Sequence, residues 1–548
     1  MKRTLSILLA LLLCAAMLLA VPGAVSVFAE EEANEPAPYC GCDAVPVILL
    51  SGGHGALTEN YGLPDEMWYY GIDMLDNLVR DFVPPLLDDV LPSLLTFNPS
   101  AFLDAFIEAA WAWIGPLEMR PDGTSVKQLQ RVTVGHEWVM KMDHREAFYW
   151  RPFGEAFYRF PFDWRQSPYD IADELNDYVQ FIKAHTGHEH VHINSISGSS
   201  SPLLAYVEKY VLGADNPDAL SVVFSQPATF GMELVGNFLN ADYAMNPRNA
   251  GSLDYLYSLD LPPAVNDVVL GLTRGLYLLG LTNIGAVSTS LLPQAAFDRI
   301  YEEVTRKTYA AWPGVWAWCP PEDYPSARAR LIDGHPEYEE LGFLEKIDSY
   351  HALLQRAGEV LQEAGEKIKV AVVTGYDMAL LPLGMEKDYS SDGMVAVGKA
   401  SLGAVAAPFG ERLPAGYTQA LDDGHNHLSP DRKLDASACA LPEHTWFVRD
   451  MVHRGFYFLN GWYEWWLAAP PGEDTVFDHP KYPQFLRIED KTQTDANLVL
   501  LPVEEEPPTP LETIGAFWQR ILSVSFKLLY WCAGIVRWPL GWVWRIWF

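Results

Sequence analysis

Seven consecutive residues, Ser195-Ile196-Ser197-Gly198-Ser199-Ser200-Ser201, stand between an apolar run, His190–Ile196, and a helical pattern that opens at Pro202-Leu203-Leu204-Ala205-Tyr206. A strand, a tight turn of small residues and a helix together expose a serine hydroxyl at the helix N-terminus, where it can attack an acyl carbonyl. The usual pattern is G-x-S-x-G. Here it is S-x-S-x-S centred on Ser197, and serine is still small enough to let helix and strand approach. The plainer reading of the same residues is a serine-rich loop with proline at the start of a helix. An earlier turn, Ser51-Gly52-Gly53-His54-Gly55, follows another apolar run, and glycine-rich backbone can aim N–H groups at a developing oxyanion. The amides of Gly53 and Gly198 are the expected donors, against the alternative that the first is a plain glycine turn.

Such groups need a scaffold. Strand candidates are Val45–Leu50, Ala156–Phe162, His190–Ile196, Leu220–Ser225, Ile368–Thr374 and Thr445–Val448, with helix candidates such as Ile171–His185, Pro202–Val211 and Leu344–Ala364 between them. Strands separated by helices predict an α/β fold, a mostly parallel sheet with helices on both faces. Open sheets of this kind place reacting groups at the carboxyl ends of their strands. Residues 232–345 are apolar, aromatic and patterned as helix. They are too long for a connection and predict an inserted helical cap over one end of the sheet.

Phe162-Asp163-Trp164-Arg165 closes one strand candidate, and Ser225-Gln226-Pro227 with Gly231 closes another. Together with Pro46–Gly55, the elbow block at 190–206 and Ser391-Asp392-Gly393-Met394-Val395, they make five blocks in order. In these blocks the chain resembles the lecithin:cholesterol acyltransferase-like branch of the α/β-hydrolase lipases, over most of 44–460. Ile196 stands where that branch usually has His, and Met394 where it has Thr. The resemblance implies an α/β-hydrolase fold and a triad in the chain order nucleophile, acid, histidine. It also implies acyl esters of lipids as substrates, with hydrolysis in some relatives and O-acyl transfer in others.

Two aspartates follow Ile368–Thr374. Asp377 fits a short G-x-D loop, and Asp392 fits the D-G-x-V block that the resemblance favours. Four histidines come late enough to be the base: His425, His427, His444 and His453. His444 precedes the last strand candidate and so falls at the amino edge of the sheet. His453 follows that strand, on the elbow's edge, and opens a helix patterned over Gly455–Leu467. The expected triad is Ser197, Asp392 and His453, which needs no metal and no organic cofactor.

With 548 residues, 49% of them hydrophobic and 20% charged, the chain has the apolar surface for a large folded body. A net charge of −33 repels phosphates and argues against a nucleic-acid partner. Lys2 and Arg3 precede an apolar run, Leu5 to Val21, and Val27-Phe28-Ala29 then supplies small residues for cleavage, so residues 1–29 read as a secretory signal peptide. Cleavage takes the net charge from −33 to −35 and leaves Cys40, Cys42, Cys319, Cys439 and Cys532, an odd set without metal-ligand spacing. Residues 30–39 are an acidic leader, 40–502 the hydrolase domain with its cap at about 232–345, and 503–510 a stiff Pro-rich linker.

Residues 511–548 hold six Trp, with Arg520, Lys527, Arg537 and Arg545 against Glu512 alone. No uncharged run there is long enough to span a bilayer, but a polar arc of about 100° beside Trp and Leu is the pattern of an interfacial helix. The competing reading is a helix docked on the acidic body. The sequence as a whole is read as a secreted serine ester hydrolase or O-acyltransferase of lipids, able to meet a membrane surface through 511–548. A non-catalytic protein of the same fold, binding lipid or a cell-surface partner, is the rival that the S-x-S-x-S elbow motivates.

Overall fold

In a strand, alternate side chains point to opposite faces, and the central strands of this chain are apolar on both. Ile48, Leu50, Ile193, Val222, Phe224, Val370 and Val372 enter one core, while Val47, Leu49, Ile196, Val223, Ala371, Val373, Trp446 and Val448 enter a second. That double burial makes a sheet covered on both sides. A computed structural model of the chain describes residues 44–51, 156–160, 162–242, 298–380, 389–453, 455, 459–488 and 498–501, with short stretches between 57 and 131.

Eight strands form the sheet: β1 (Val47–Ser51), β2 (Phe157–Phe160), β3 (Val191–Ile196), β4 (Ala219–Ser225), β5 (Lys369–Tyr376), β6 (Thr445–Arg449), β7 (Phe485–Ile488) and β8 (Leu498–Leu500). Their order is β8-β7-β6-β5-β4-β3-β1-β2. Every neighbouring pair is parallel except β7 with β8. This is the α/β fold that the sequence leads one to expect, a mostly parallel sheet with helices on both faces.

The helices cover both faces. On one side lie α1 (Pro168–Thr186), α2 (Ser200–Tyr206), α3 (Glu233–Leu239), α4 (Tyr324–Leu331), α5 (Phe343–Gln355) and α6 (Ala357–Gly365). On the other lies α7 (Asn460–Ala468), whose Trp462, Tyr463 and Trp466 fill the second core. Helix α1 shows how local sequence sets such an element. Ser167 caps its N-terminus by accepting from the Tyr169 amide, Pro168 opens the first turn, and Gly187 leaves it in the left-handed region at φ 76°. Its buried stripe is Ile171, Leu175, Val179 and Ile182.

Three boundaries differ from those expected. The pattern over Leu344–Ala364 is two helices, broken at Arg356 (φ −116°, ψ 17°) with no proline to announce it. The break lets Gly358 close on Ala440, where a Cβ would lie 3.0 Å from the Ala440 methyl, so tertiary packing overrides helix propensity. Helix α2 passes at Val207 into a π-helical stretch that runs to Leu212. Finally, α7 begins at Asn460, so His453 lies in a turn ahead of it rather than at its first residue.

The segment expected as a cap is described at 232–242 and 298–345, where every regular element is helical. Its Trp312, Trp316, Ala317 and Trp318 belong to the same core as Ile48 and Leu50, so these parts are fused to the sheet rather than perched on it. The middle of that segment lies outside the described residues. So do residues 1–43 with Cys40 and Cys42, the turn at Gly53, the linker beyond Leu501 and the tail with Cys532. Cys319 and Cys439 are buried free thiols, and burial pushes the Cys439 thiol up to about 12.

One backbone feature sets the carboxyl edge apart. The first residue after each of four adjacent strands is a non-glycine residue in the left-handed region. These are Ser197 after β3 (φ 57°), Gln226 after β4 (47°), Asp377 after β5 (65°) and Asp450 after β6 (59°). Such conformations cost on the order of 1 kcal/mol or more each and persist only where surrounding structure imposes them.

Candidate active site

The elbow forms because β3 must stop, reverse and feed a helix within three residues. Ser197 takes the strained turn position, and Gly198 follows where no side chain fits, since a Cβ would lie 2.4 Å from the Trp318 ring. Trp318 donates from Nε1 to the Gly198 carbonyl at 3.2 Å and stacks on Trp164.

The serines that replace the usual glycines are occupied with backbone. Ser195 Oγ lies 3.2 Å from both the Val223 carbonyl and Ser200 Oγ. Ser199 Oγ accepts from the Ile196 amide at 2.9 Å and donates toward the Leu50 and Ile196 carbonyls at 2.6 and 2.7 Å. The Leu50 contact ties the elbow to β1, one residue before the glycine turn expected to supply an oxyanion donor. Serine in the elbow thus adds a tether that glycine could not make.

Ser197 is the serine of the cluster that meets a histidine. His453 Nε2 lies 2.6 Å from Ser197 Oγ, and His453 Nδ1 lies 2.8 Å from Asp392 Oδ2. His453 and Asp392 are fully buried, and Ser197 is 4% exposed. The other carboxylate oxygen, Asp392 Oδ1, accepts from the Met394 and Val395 amides at 3.0 and 2.9 Å. The His453 amide donates to the Asp392 carbonyl at 2.8 Å. A carboxylate can only accept, so it assigns the proton to Nδ1 and leaves the Nε2 lone pair for the serine hydroxyl. Gly375 lets the acid and histidine loops meet, because a Cβ there would fall 2.1 Å from the Met451 carbonyl and 2.9 Å from Asp392 Cβ.

The competing candidates lie elsewhere. Asp377 is gripped by Lys433 Nζ (2.7 and 2.5 Å) and Arg449 Nε (2.9 Å). His427 is buried between Gln484 (3.0 Å) and Asp423 (2.9 Å), and His425 stacks on Phe477. His444 ends the short helix Pro442–His444 at the amino end of β6. The Asp163–Arg165 block is structural: buried Arg165 makes a two-pronged pair with Asp163 (2.9 and 2.7 Å) and donates to the Leu117 carbonyl. Of the two expected oxyanion donors, Gly53 lies outside the described residues. The Gly198 amide falls in the first turn after the strand, where N–H groups have no intrahelical acceptor.

A buried carboxyl sits just behind the acid loop. Glu233, at the start of α3, is 8% exposed; burial pushes it from its ordinary value of 4.5 up to about 7, opposed by its own and the Ala396 amides and by Lys399. Between these values the folded chain keeps a proton that the unfolded chain has released, so stability falls as pH rises through that window. Glu233→Gln removes the penalty. Unfolding free energies from urea titration should match wild type near about pH 4 and exceed it by on the order of 3 kcal/mol above about pH 7. Equal values at both ends would contradict this.

Sequence reasoning missed two contributors to this site. The sequence places Trp318 only within an apolar cap and Gln226 only within the block that closes a strand. A bulky indole against Gly198 carries no local signal, because the two are 120 positions apart.

The chain matches no family model and no curated protein. Among solved structures it is similar to the Tle4-Tli4 complex, at 13% identity over 60% of this chain and 74% of that one, with a TM-score of 0.23.

Proposed function

We propose that the chain is a serine ester hydrolase or O-acyltransferase acting on acyl esters of lipids. One observation carries the reading: Ser197 Oγ, held at a strained elbow, is 2.6 Å from a buried imidazole whose other nitrogen is 2.8 Å from a buried carboxylate. Ser197 Oγ bonds to the acyl carbon as its proton passes to His453 Nε2, and the carbonyl electron pair moves onto oxygen. The amides of Gly198 and Gly53 receive that oxyanion. Collapse expels the alcohol, which takes the proton from Nε2. Water or a second alcohol then repeats the sequence on the acyl-enzyme and frees Ser197. Asp392 holds the imidazole tautomer and stabilises the imidazolium throughout.

The lipid class rests on the five-block resemblance and on the apolar, Trp-rich segments. A fluorophosphonate probe with peptide mapping, followed by turnover of graded acyl esters with and without an added alcohol, tests the whole reading. Labelling at Ser197 supports it, and a folded protein that takes no label turns the assignment to a non-catalytic binder. Product partition between free acid and new ester separates hydrolysis from transfer.

Secretion through residues 1–29 and membrane contact through 511–548 belong to the same proposal. Basic residues near an anionic surface contribute about 1 kcal/mol each, and Trp adds apolar area. Deleting 511–548 is therefore expected to keep turnover of soluble esters and to weaken co-sedimentation with anionic vesicles, which for the full chain should fall with added salt. Equal pelleting of both proteins would remove the anchor. Aggregation of the shortened one would favour a tail docked on the body.

A further inference from the structure

The general base sits in a turn that is held from outside. Val452, immediately before His453, accepts at its carbonyl from the Gly455 amide at 2.7 Å, closing a turn with His453 inside it. The same carbonyl accepts from the side-chain Nε2 of Gln226. Gln226 is fully buried, follows β4 in the left-handed region, and donates its own amide to the Val373 carbonyl of β5 at 2.6 Å. Its Oε1 is buried with no partner among the described residues. Turning the amide over would set that oxygen against the Val452 carbonyl, so the orientation is dictated by the turn it holds.

The residue before it makes a matching contact at the far end. Ser225 Oγ is hydrogen-bonded to the hydroxyl of Tyr463, a buried side chain on α7. Ser225 pairs in register with Ile196, so this two-residue end of β4 stands directly beside the nucleophile's strand.

On the triad reading above, we infer that Ser225 and Gln226 are positioning residues for His453. Gln226 holds Val452, next to the base, and Ser225 holds Tyr463 on the helix that follows it, and the two thereby set Nε2 on Ser197 Oγ. A costly arrangement is retained here: a strained non-glycine backbone and a buried side-chain carbonyl with no partner among the described residues both cost free energy. What the pair secures is imidazole placement, to which turnover is far more sensitive than folding is.

The test uses the full chain, a soluble short-chain p-nitrophenyl ester and a fluorophosphonate probe. Gln226→Met keeps length and bulk but cannot donate, and should lower kcat and the rate of Ser197 labelling together, each by roughly 10- to 100-fold, with KM within about twofold. Tyr463→Phe loses only a hydroxyl and should show the same pattern at roughly 3- to 10-fold. In a His453→Ala background, Gln226→Met should change the residual rate by less than about twofold, because the group it positions is gone. Undiminished labelling of both single variants overturns the inference, as does a rise in KM at constant kcat. An undiminished Gln226→Met effect in the His453→Ala background also overturns it, by marking a merely structural role. If Gln226→Met fails to fold, Tyr463→Phe alone decides. A folded wild type that takes no label at all overturns the triad reading and this inference with it, whereas a labelled wild type with fully labelled variants overturns this inference alone.

Discussion

Ser197→Ala is expected to abolish ester turnover, by roughly 10⁴-fold or more, while leaving the fold intact. The expectation rests on the contrast among neighbouring hydroxyls. Ser195 and Ser199 are spent on backbone carbonyls, and only Ser197 faces His453 within this cluster. Ser195→Ala should keep turnover within a few-fold. Ser199→Ala should stay within about tenfold but lose about 1–2 kcal/mol of stability, because the Leu50 carbonyl and the Ile196 amide both lose their side-chain partner. Ser197→Gly adds an independent readout: it should be as inactive as Ser197→Ala yet more stable than wild type by about 1 kcal/mol, since glycine relieves a φ of +57°. Esterase assays with urea midpoints on the four variants decide the register. A dead Ser199→Ala beside a working Ser197→Ala would move the nucleophile.

His453→Ala and Asp392→Asn should each cost roughly 10³- to 10⁴-fold in kcat. Asparagine at 392 would offer its amide where His453 Nδ1 needs an acceptor and would favour the wrong tautomer. Asp377→Asn is the informative control. Asp377 lies one residue past β5 and is the acid of the rival G-x-D reading, yet its carboxylate answers Lys433 and Arg449. Neutralising it leaves two partly buried cations facing an amide. The variant should keep turnover within a few-fold while losing roughly 2–3 kcal/mol of stability. A dead but stable Asp377→Asn, with Asp392→Asn healthy, would reverse the roles of the two aspartates.

The sheet was legible because its central strands are apolar on both faces, and a run such as Lys369–Tyr376 has few other ways to satisfy seven consecutive buried positions, Val370 to Tyr376. The edge strands β7 and β8 escaped notice. Phe485–Ile488 carries an exposed Arg487, and Leu498–Leu500 is three residues long, so neither has a periodicity to read. The three residues of the proposed triad could be picked out by their places after strands, Ser197 by the small-residue turn, His453 by strand polarity and Asp392 by a block that resembles one of a known family, and they lie within hydrogen-bond reach of one another. Gln226 could not be picked out in this way. Its contribution depends on Val452, 226 positions away, and on an amide orientation that no spacing encodes.

The four left-handed residues at the ends of β3, β4, β5 and β6 have a consequence for how this chain could be made to tolerate heat. Glycine would relieve the backbone strain at each, but three of the four side chains make contacts that glycine would lose: Ser197 with His453, Gln226 with the Val452 carbonyl, and Asp377 with Lys433 and Arg449. A thermostability screen run without an activity filter should therefore find a gain at Ser197 and lose turnover with it, because the strain there is the condition under which that hydroxyl faces His453. Asp450, the fourth, sits at φ 59° with its amide donating to the Tyr376 carbonyl of β5 at 2.8 Å, so the strained margin is also stitched from strand to strand by its own backbone.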